Sequence, residues 1–195
     1  MSLNGEETVE GGVTMLIETD RLIIRDLEPT DEKSFVEMAL DGSLKDIGFD
    51  TDCNEWMKEW IVEAKELTDK DDPTIEYLAY TIQLKDSEMV IGSVGCSYYE
   101  DLDKVGITYF IGAQYRNMGY ASEAVKAYIQ YFFRHYSIHE IIATIREANI
   151  SSWKVVEKSE FKLMERKMYK DLNDDFEEMY RFYSTNNGDG ICKRY

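Results

Sequence analysis

Histidine, cysteine and proline are the scarce residues of this chain, and each shortage closes off a class of function. Two histidines, His135 and His139, are too few for a histidine-rich metal site. The three cysteines, Cys53, Cys96 and Cys192, are odd in number and widely spaced, and no CxxC pair occurs. That pattern argues against a zinc ribbon and a disulfide framework and fits reduced thiols. No histidine stands in a clear triad relation to Cys96, so nucleophilic cysteine catalysis is not indicated. Pro29 and Pro73 are the only prolines, and no Ser/Pro/Gly-rich linker divides the chain. No apolar run approaches the ~20 residues that span a bilayer. The first basic residue is Arg21, so the charged start of a signal peptide is missing. A cytoplasmic protein with no metal and no membrane partner is expected.

Positive charge is also in deficit. Lys and Arg number 22 against 39 Asp and Glu, a net charge of −17. A broad basic face for nucleic acid is therefore not expected. The deficit is uneven. Between Gly112 and Lys158 six basic residues (Arg116, Lys126, Arg134, Arg146, Lys154, Lys158) face four acids, a net of +2, which leaves −19 for the remainder. This window is either a fluctuation of composition or a local site for a polyanion.

The 195 residues, 44% of them hydrophobic and 31% charged, are enough for one core without staples. Residues 1–14, acidic and glycine-rich, read as a flexible lead, and residues 15–195 as a single domain. Leu22–Arg25 reads as a strand, and Thr30 as the cap of a helix carrying Phe35, Met38 and Ala39. A second helix runs over Glu55–Leu67, with Trp56, Trp60, Ile61 and Ala64 at helical spacing. The period then changes to two in Leu78, Tyr80, Ile82 and Leu84, followed by strands at Met89–Tyr99 and Lys104–Ile111. Gly92 and Gly95 suggest a bulge or close packing in the middle strand. Ala121, Val125, Tyr128, Ile129 and Phe132 form the stripe of the longest helix. His139–Ile145 is a β-branched strand. Asn149 or Ser151 can cap a helix with Trp153 and Val156, and two strands, Phe161–Tyr169 and Met179–Tyr183, follow. The order predicts a mixed α/β layout around one sheet.

The segment Ile107–Glu123 carries the chemistry. A strand feeds a loop with Gly119, and the loop opens the long helix, whose first turn leaves N–H groups unpaired at a positive dipole end. Gly119 permits close approach of a phosphate, and Arg116 adds a forked donor. The segment lacks the lysine of a Walker loop and the GxGxxG of a dinucleotide fold. What it spells is R-x-x-G-x-A: Arg116, Asn117, Met118, Gly119, Tyr120 and Ala121.

In this motif the chain resembles the GNAT superfamily of acyl-CoA-dependent N-acetyltransferases, over about Met15–Tyr183. Thr19–Arg25 followed by Asp31, and Met89–Gly92, look like the branch named for ribosomal-protein alanine N-acetyltransferases. Asn149-x-x-Ser152 and Glu157-Lys158 match the exit of the family's fifth strand and its fourth helix. The resemblance implies a mostly antiparallel twisted sheet of about six or seven strands with flanking helices. Its fourth and fifth strands would splay into a wedge for pantetheine. It further implies that Phe110 and Ile111 pair with the pantetheine amides and that the N–H groups of Arg116, Asn117, Met118, Gly119, Tyr120, Ala121 and Ser122 hold the pyrophosphate. Asn149 would bond pantetheine from the other side with Ser152 near the sulfur, while Lys154 and Lys158 meet the adenosine phosphates. The partners implied are acetyl-CoA as co-substrate and an amine acceptor, and a homodimer is compatible with the resemblance.

Three positions depart from the family. The tyrosine that often protonates the leaving thiolate is Val156 here. The frequent fourth-strand glutamate falls near Gly106, and the usual glycine before the sixth-strand phenylalanine is Glu160. The expected reaction is attack of a neutral amine on the acetyl thioester, which needs a base or water chain for the proton and an N–H donor for the oxyanion. Candidate proton carriers are Glu100, Tyr98, Tyr99 and Tyr109, with Ser152 beside the sulfur. Peptide or protein N-termini and small cationic amines both fit as acceptors. A CoA-binding sensor or interaction module without turnover is the alternative.

Overall fold

The computed structural model describes residues 8–9, 12–171 and 174–188. β1 (Thr8–Val9) pairs antiparallel with β2 (Gly12–Val13), and the rest of the expected 1–14 lead up to residue 11 lies outside the described residues. Beyond them comes an eight-stranded sheet. Its strands are β3 (Leu16–Glu18), β4 (Leu22–Asp26), β5 (Tyr77–Leu84), β6 (Val90–Tyr99), β7 (Lys104–Ile111), β8 (Glu140–Arg146), β9 (Lys162–Tyr169) and β10 (Glu178–Asn186). Their order in space is β3-β4-β5-β6-β7-β8-β10-β9, antiparallel throughout except for β7 and β8. The count exceeds the expected six or seven because Leu16–Glu18 adds an edge strand. Ile17 is buried between exposed Leu16 and Glu18, a pattern too short to stand out from sequence alone.

The period-two residues sort the sheet into two faces. Leu78, Tyr80 and Ile82 join one core with Val125, Tyr128, Ile129 and Phe132 of α3 (Tyr120–His135) and Val156 of α4 (Ile150–Lys158). Ala79 faces the other side, against Phe35 and Met38 of α1 (Glu32–Ala39) and Met57, Ile61 and Ala64 of α2 (Met57–Lys70). Phe35 and Phe132 are wholly buried, each contributing about 1.5–3 kcal/mol by its removal from water. In β6 both expected consequences of glycine occur. A Cβ on Gly95 would lie 1.8 Å from the Leu78 carbonyl oxygen, and the β5–β6 register shifts at Ile82/Gln83, opposite Gly92.

The start of α1 differs from expectation. Thr30 does not cap it; its hydroxyl bonds the Glu28 carboxylate at 3.3 Å. Asp31 takes the structural role instead. Its buried carboxylate accepts from both arms of the Arg25 guanidinium (2.8 Å each), the Glu28 N–H (2.9 Å) and the Thr81 hydroxyl (2.7 Å). The network ties β4, β5 and α1 together.

Candidate active site at the β7–β8 opening

β7 and β8 run parallel and share a single register pair, Gly106 with Ile142. Each is otherwise paired on its outer side: β7 with β6 from Lys104 to Ile111, and β8 with β10 from Glu140 to Arg146. Past that one pair the strands separate toward their C-terminal ends, which makes the wedge. A strand's peptide groups alternate in direction, and the Gly112 N–H donates to Ile91 of β6. A Cβ on Gly92 would lie 2.1 Å from the Phe110 carbonyl, so that carbonyl also faces β6. The peptide groups facing the opening are therefore those of Tyr109 and Ile111. Phe110 instead packs its ring against Phe35 and Phe49 on the α1/α2 side.

The loop after β7 ends in the exposed stretch Arg116–Gly119. Asn117 (φ 63°) and Gly119 (φ 84°) are both left-handed, a conformation asparagine tolerates and glycine adopts freely. In α3 the first N–H to find a helical carbonyl is that of Glu123, on Gly119 at 3.1 Å. Those of Tyr120, Ala121 and Ser122 have no backbone acceptor among the described residues, and they form the unpaired, positive end of the helix dipole. Arg116 does not serve as expected. Its N–H goes to Ala113 (3.2 Å), while its side chain donates to the Ile111 carbonyl (2.9 Å) and to Ser43. It braces the end of β7 to the 41–44 turn.

Three residues that the sequence did not single out for the site hold this loop. Arg21 donates from Nη1 to the Met118 carbonyl (2.9 Å) and from Nε to the Glu123 carboxylate (2.7 Å), with its guanidinium 4.6 Å from the Tyr120 ring centre. Glu123 also accepts from the Arg21 N–H (2.9 Å) and the Thr19 hydroxyl (2.6 Å). Burial alone would raise the Glu123 carboxyl, but these donors outweigh it and hold the group below the usual carboxylate range. Arg21 and Thr19 lie in the Thr19–Arg25 stretch, but nothing local signals a partner about a hundred positions away.

At the other lip, Asn149 caps α4 by accepting from the Ser152 N–H (3.1 Å) and the Ser151 hydroxyl (3.0 Å). Its side-chain NH2 has no partner among the described hydrogen bonds. Tyr109 crosses from β7 to α4, its hydroxyl 2.8 Å from both the Ser152 carbonyl and the Ser152 hydroxyl. The structure thus joins a candidate proton carrier, Tyr109, to Ser152, the residue expected near the sulfur. Burial pushes the Tyr109 phenol well above the usual tyrosine range, although the Ser152 hydrogen bond works the other way. Lys154 and Lys158 are exposed on α4, and Val156 is fully buried.

The remaining candidates sit elsewhere. Glu100 occupies the exposed turn between β6 and β7, at the opposite end of β7 from the 112–119 loop. Tyr98 donates to Asp103 of the same turn at 2.5 Å. Tyr99 lies over Gly106, where an added Cβ would come within 2.5 Å of the ring, so Tyr99 leaves no room for a side chain at position 106. Burial pushes its phenol up to about 12, with Asp171 and Asp101 adding to the shift. Among the described residues no three His, Cys, Asp or Glu side chains gather as metal ligands, and no helix is long and apolar enough to cross a membrane.

Residues 21–162 match the family model described as an acetyltransferase (GNAT) domain. The chain is 31% identical over 145 residues to the uncharacterized N-acetyltransferase YnaD of Bacillus subtilis (strain 168), covering 74% of this chain and 81% of that one. Its fold is similar to that of a GNAT-family acetyltransferase from Bacillus anthracis (TM-score 0.73, 21% identity, 88% of this chain and 98% of the other). It is also similar to RimL, a ribosomal L7/L12 alpha-N-protein acetyltransferase solved with coenzyme A (TM-score 0.74, 14% identity, 88% and 98% covered).

Proposed function

The chain belongs to the acetyltransferase (GNAT) family and is an acyltransferase, and from that premise we propose that it moves an acetyl group from acetyl-CoA to a primary amine by direct transfer. The observation that carries the proposal is the opening between β7 and β8, which runs from the Tyr109–Ser152 pair toward the unpaired N–H groups of α3. The donor set fits the ligand. The N–H groups of Tyr120, Ala121 and Ser122 beside left-handed Gly119 suit a pyrophosphate. The peptide group of Tyr109, the Ile111 N–H and the Asn149 NH2 suit pantetheine amides, and Lys154 and Lys158 suit the outer phosphates. The coenzyme A complex of RimL supports the assignment.

Bound acetyl-CoA supplies the thioester; the residues of this chain orient it and handle charge and proton. As the amine forms its C–N bond and the C–S bond breaks, a β7 N–H donates to the developing oxyanion. The Tyr109 phenol stays protonated at neutral pH. It is a weaker acid than an ordinary thiol (pKa ~8.5), so it steadies the leaving thiolate by hydrogen bonding, directly or through Ser152. A cationic acceptor first gives one proton to solvent water to become the neutral nucleophile. The proton the thiol ends with is the one the nitrogen sheds after the C–N bond forms. Alkyl amines titrate near ~10, and the −19 of the chain outside residues 112–158 draws a cationic acceptor to the site. The acceptor is a peptide or protein N-terminus or a small cationic amine.

The buried Val156 in place of the usual acid favours a second reading, a CoA-binding module without turnover. Thiol release from acetyl-CoA over a panel of amines and peptides separates the two. We expect turnover with cationic acceptors, falling as salt rises, and loss of CoA binding in Gly119→Glu. CoA binding without turnover on any acceptor would select the module, and unaltered CoA affinity in folded Gly119→Glu would remove the loop from the site.

A further inference from the structure

The Arg21 guanidinium touches the phosphate loop at three successive places: the Met118 carbonyl, the Tyr120 ring and the Glu123 carboxylate. Between them lies Gly119, where an added Cβ would stand 3.3 Å from Nη2. We propose that Arg21 is a positioning residue for the anion site, fixing the Met118–Gly119 peptide and taking up the Glu123 charge at the start of α3. This rests on the reading of that loop as a CoA site.

Two physical arguments support it. In a trans peptide the C=O and the following N–H point in opposite directions. A Met118 carbonyl held 2.9 Å from Nη1 therefore turns the Gly119 N–H away from Arg21, to the other side of the loop. No backbone N–H donates to the Met118 carbonyl among the described hydrogen bonds, so the Arg21 side chain is the partner that fixes the orientation of this peptide. The second argument is electrostatic. Glu123 lies in the first turn of α3, where a carboxylate suits the helix dipole but competes with an anionic ligand for the same positive end. The Arg21 contacts at 2.7 and 2.6 Å pair that charge and, with the Thr19 hydroxyl, point the carboxylate toward β4. Without the Arg21 guanidinium the carboxylate would keep only the Thr19 hydroxyl and the residue-21 N–H, a charge with no cation beside it one turn from the bound phosphates.

The test measures CoA binding by calorimetry for the wild type, Arg21→Ala, Arg21→Lys, Glu123→Gln and the Arg21→Ala/Glu123→Gln double variant. S-acetylpantetheine, which lacks the pyrophosphate, serves as the second ligand. Arg21→Ala should weaken CoA about tenfold, the scale of one misplaced charge-assisted hydrogen bond, and S-acetylpantetheine by less than about twofold. Arg21→Lys keeps the charge but not the fork and should fall between. Removing the Glu123 charge should restore part of the Arg21→Ala loss. CoA affinity unchanged in Arg21→Ala, equal loss for both ligands, or no recovery in the double variant would each overturn the proposal. If the wild type itself failed to bind CoA, the reading of the loop as a CoA site would fall first.

Discussion

Asp31 and Glu123 are held by nearly the same set of donors. Each carboxylate takes an arginine fork, a threonine hydroxyl and a backbone N–H, and the two arginines stand four positions apart, Arg25 within β4 and Arg21 just before it. The surroundings differ. The Arg25 and Asp31 side chains are 18% and 2% exposed, whereas those of Arg21 and Glu123 are 47% and 18% exposed. A desolvated carboxylate must keep every donor or the fold loses heavily, so the Asp31 set secures β4, β5 and α1. A half-exposed pair is weak in stability, because water replaces what is lost. The Glu123 set can therefore act on the shape of a loop without governing the fold. The same chemistry serves architecture in one place and positioning in the other, and burial decides which.

The largest effect expected from this contrast is on stability. Asp31→Ala leaves Arg25, the Glu28 N–H and the Thr81 hydroxyl without their acceptor. It should cost about 3–5 kcal/mol, or roughly 6–20 °C in Tm at about 2–4 °C per kcal/mol. Glu123→Ala should cost about 1 kcal/mol or less. Thermal and urea unfolding of both variants would measure this, and equal losses would break the comparison.

Acid should separate the pair next. Arg25, the Glu28 N–H and Thr81 outweigh burial and hold Asp31 below the usual carboxylate range, as the Arg21 and Thr19 donors do for Glu123. A folded pKa below the unfolded one gives stability that is full above the unfolded value, about 4, and lost as pH falls through the folded value. Urea midpoints should fall for the wild type between pH 5 and pH 2. Asp31→Asn should flatten that fall more than Glu123→Gln does. The opposite ranking would mean that burial does not control the two networks.

The smallest expected effect is that of salt. A double-mutant cycle on Arg21 and Glu123 should give a coupling of about 0.5–1 kcal/mol that shrinks as ionic strength rises. The Arg25–Asp31 coupling should hold, since little solvent reaches it. Parallel salt dependence would show that the exposed pair is as sheltered as the buried one.

Much of the frame around these pairs was legible in the chain. Alternation in Leu78–Leu84 gave a strand with two distinct faces, and the 3.6-residue stripe of Val125–Phe132 gave the longest helix. R-x-x-G-x-A placed a glycine loop at that helix's N-terminus. Local preference fails where one residue's role depends on distant ones. Thr30 is the better cap by local preference, yet Arg25 and Thr81 made Asp31 the residue that counts. Arg116 reads as a phosphate donor, but the Ile111 carbonyl and Ser43 lie within reach of its guanidinium. Leu16–Glu18 was too short to register as a strand until β4 lay beside it.

The sequence by itself determined which segments are strands and helices, because steric preference and apolar period act between residues a few positions apart. It also determined that a helix N-terminus would follow Gly119. Only the tertiary structure decided that β7 and β8 meet at Gly106 and Ile142 alone, since register is set by how each strand pairs with its other neighbour. It also decided that Tyr109 reaches Ser152 across 43 positions and that Arg21 reaches Glu123 across 102. Those contacts depend on where packing leaves each side chain pointing, and no local pattern encodes that direction.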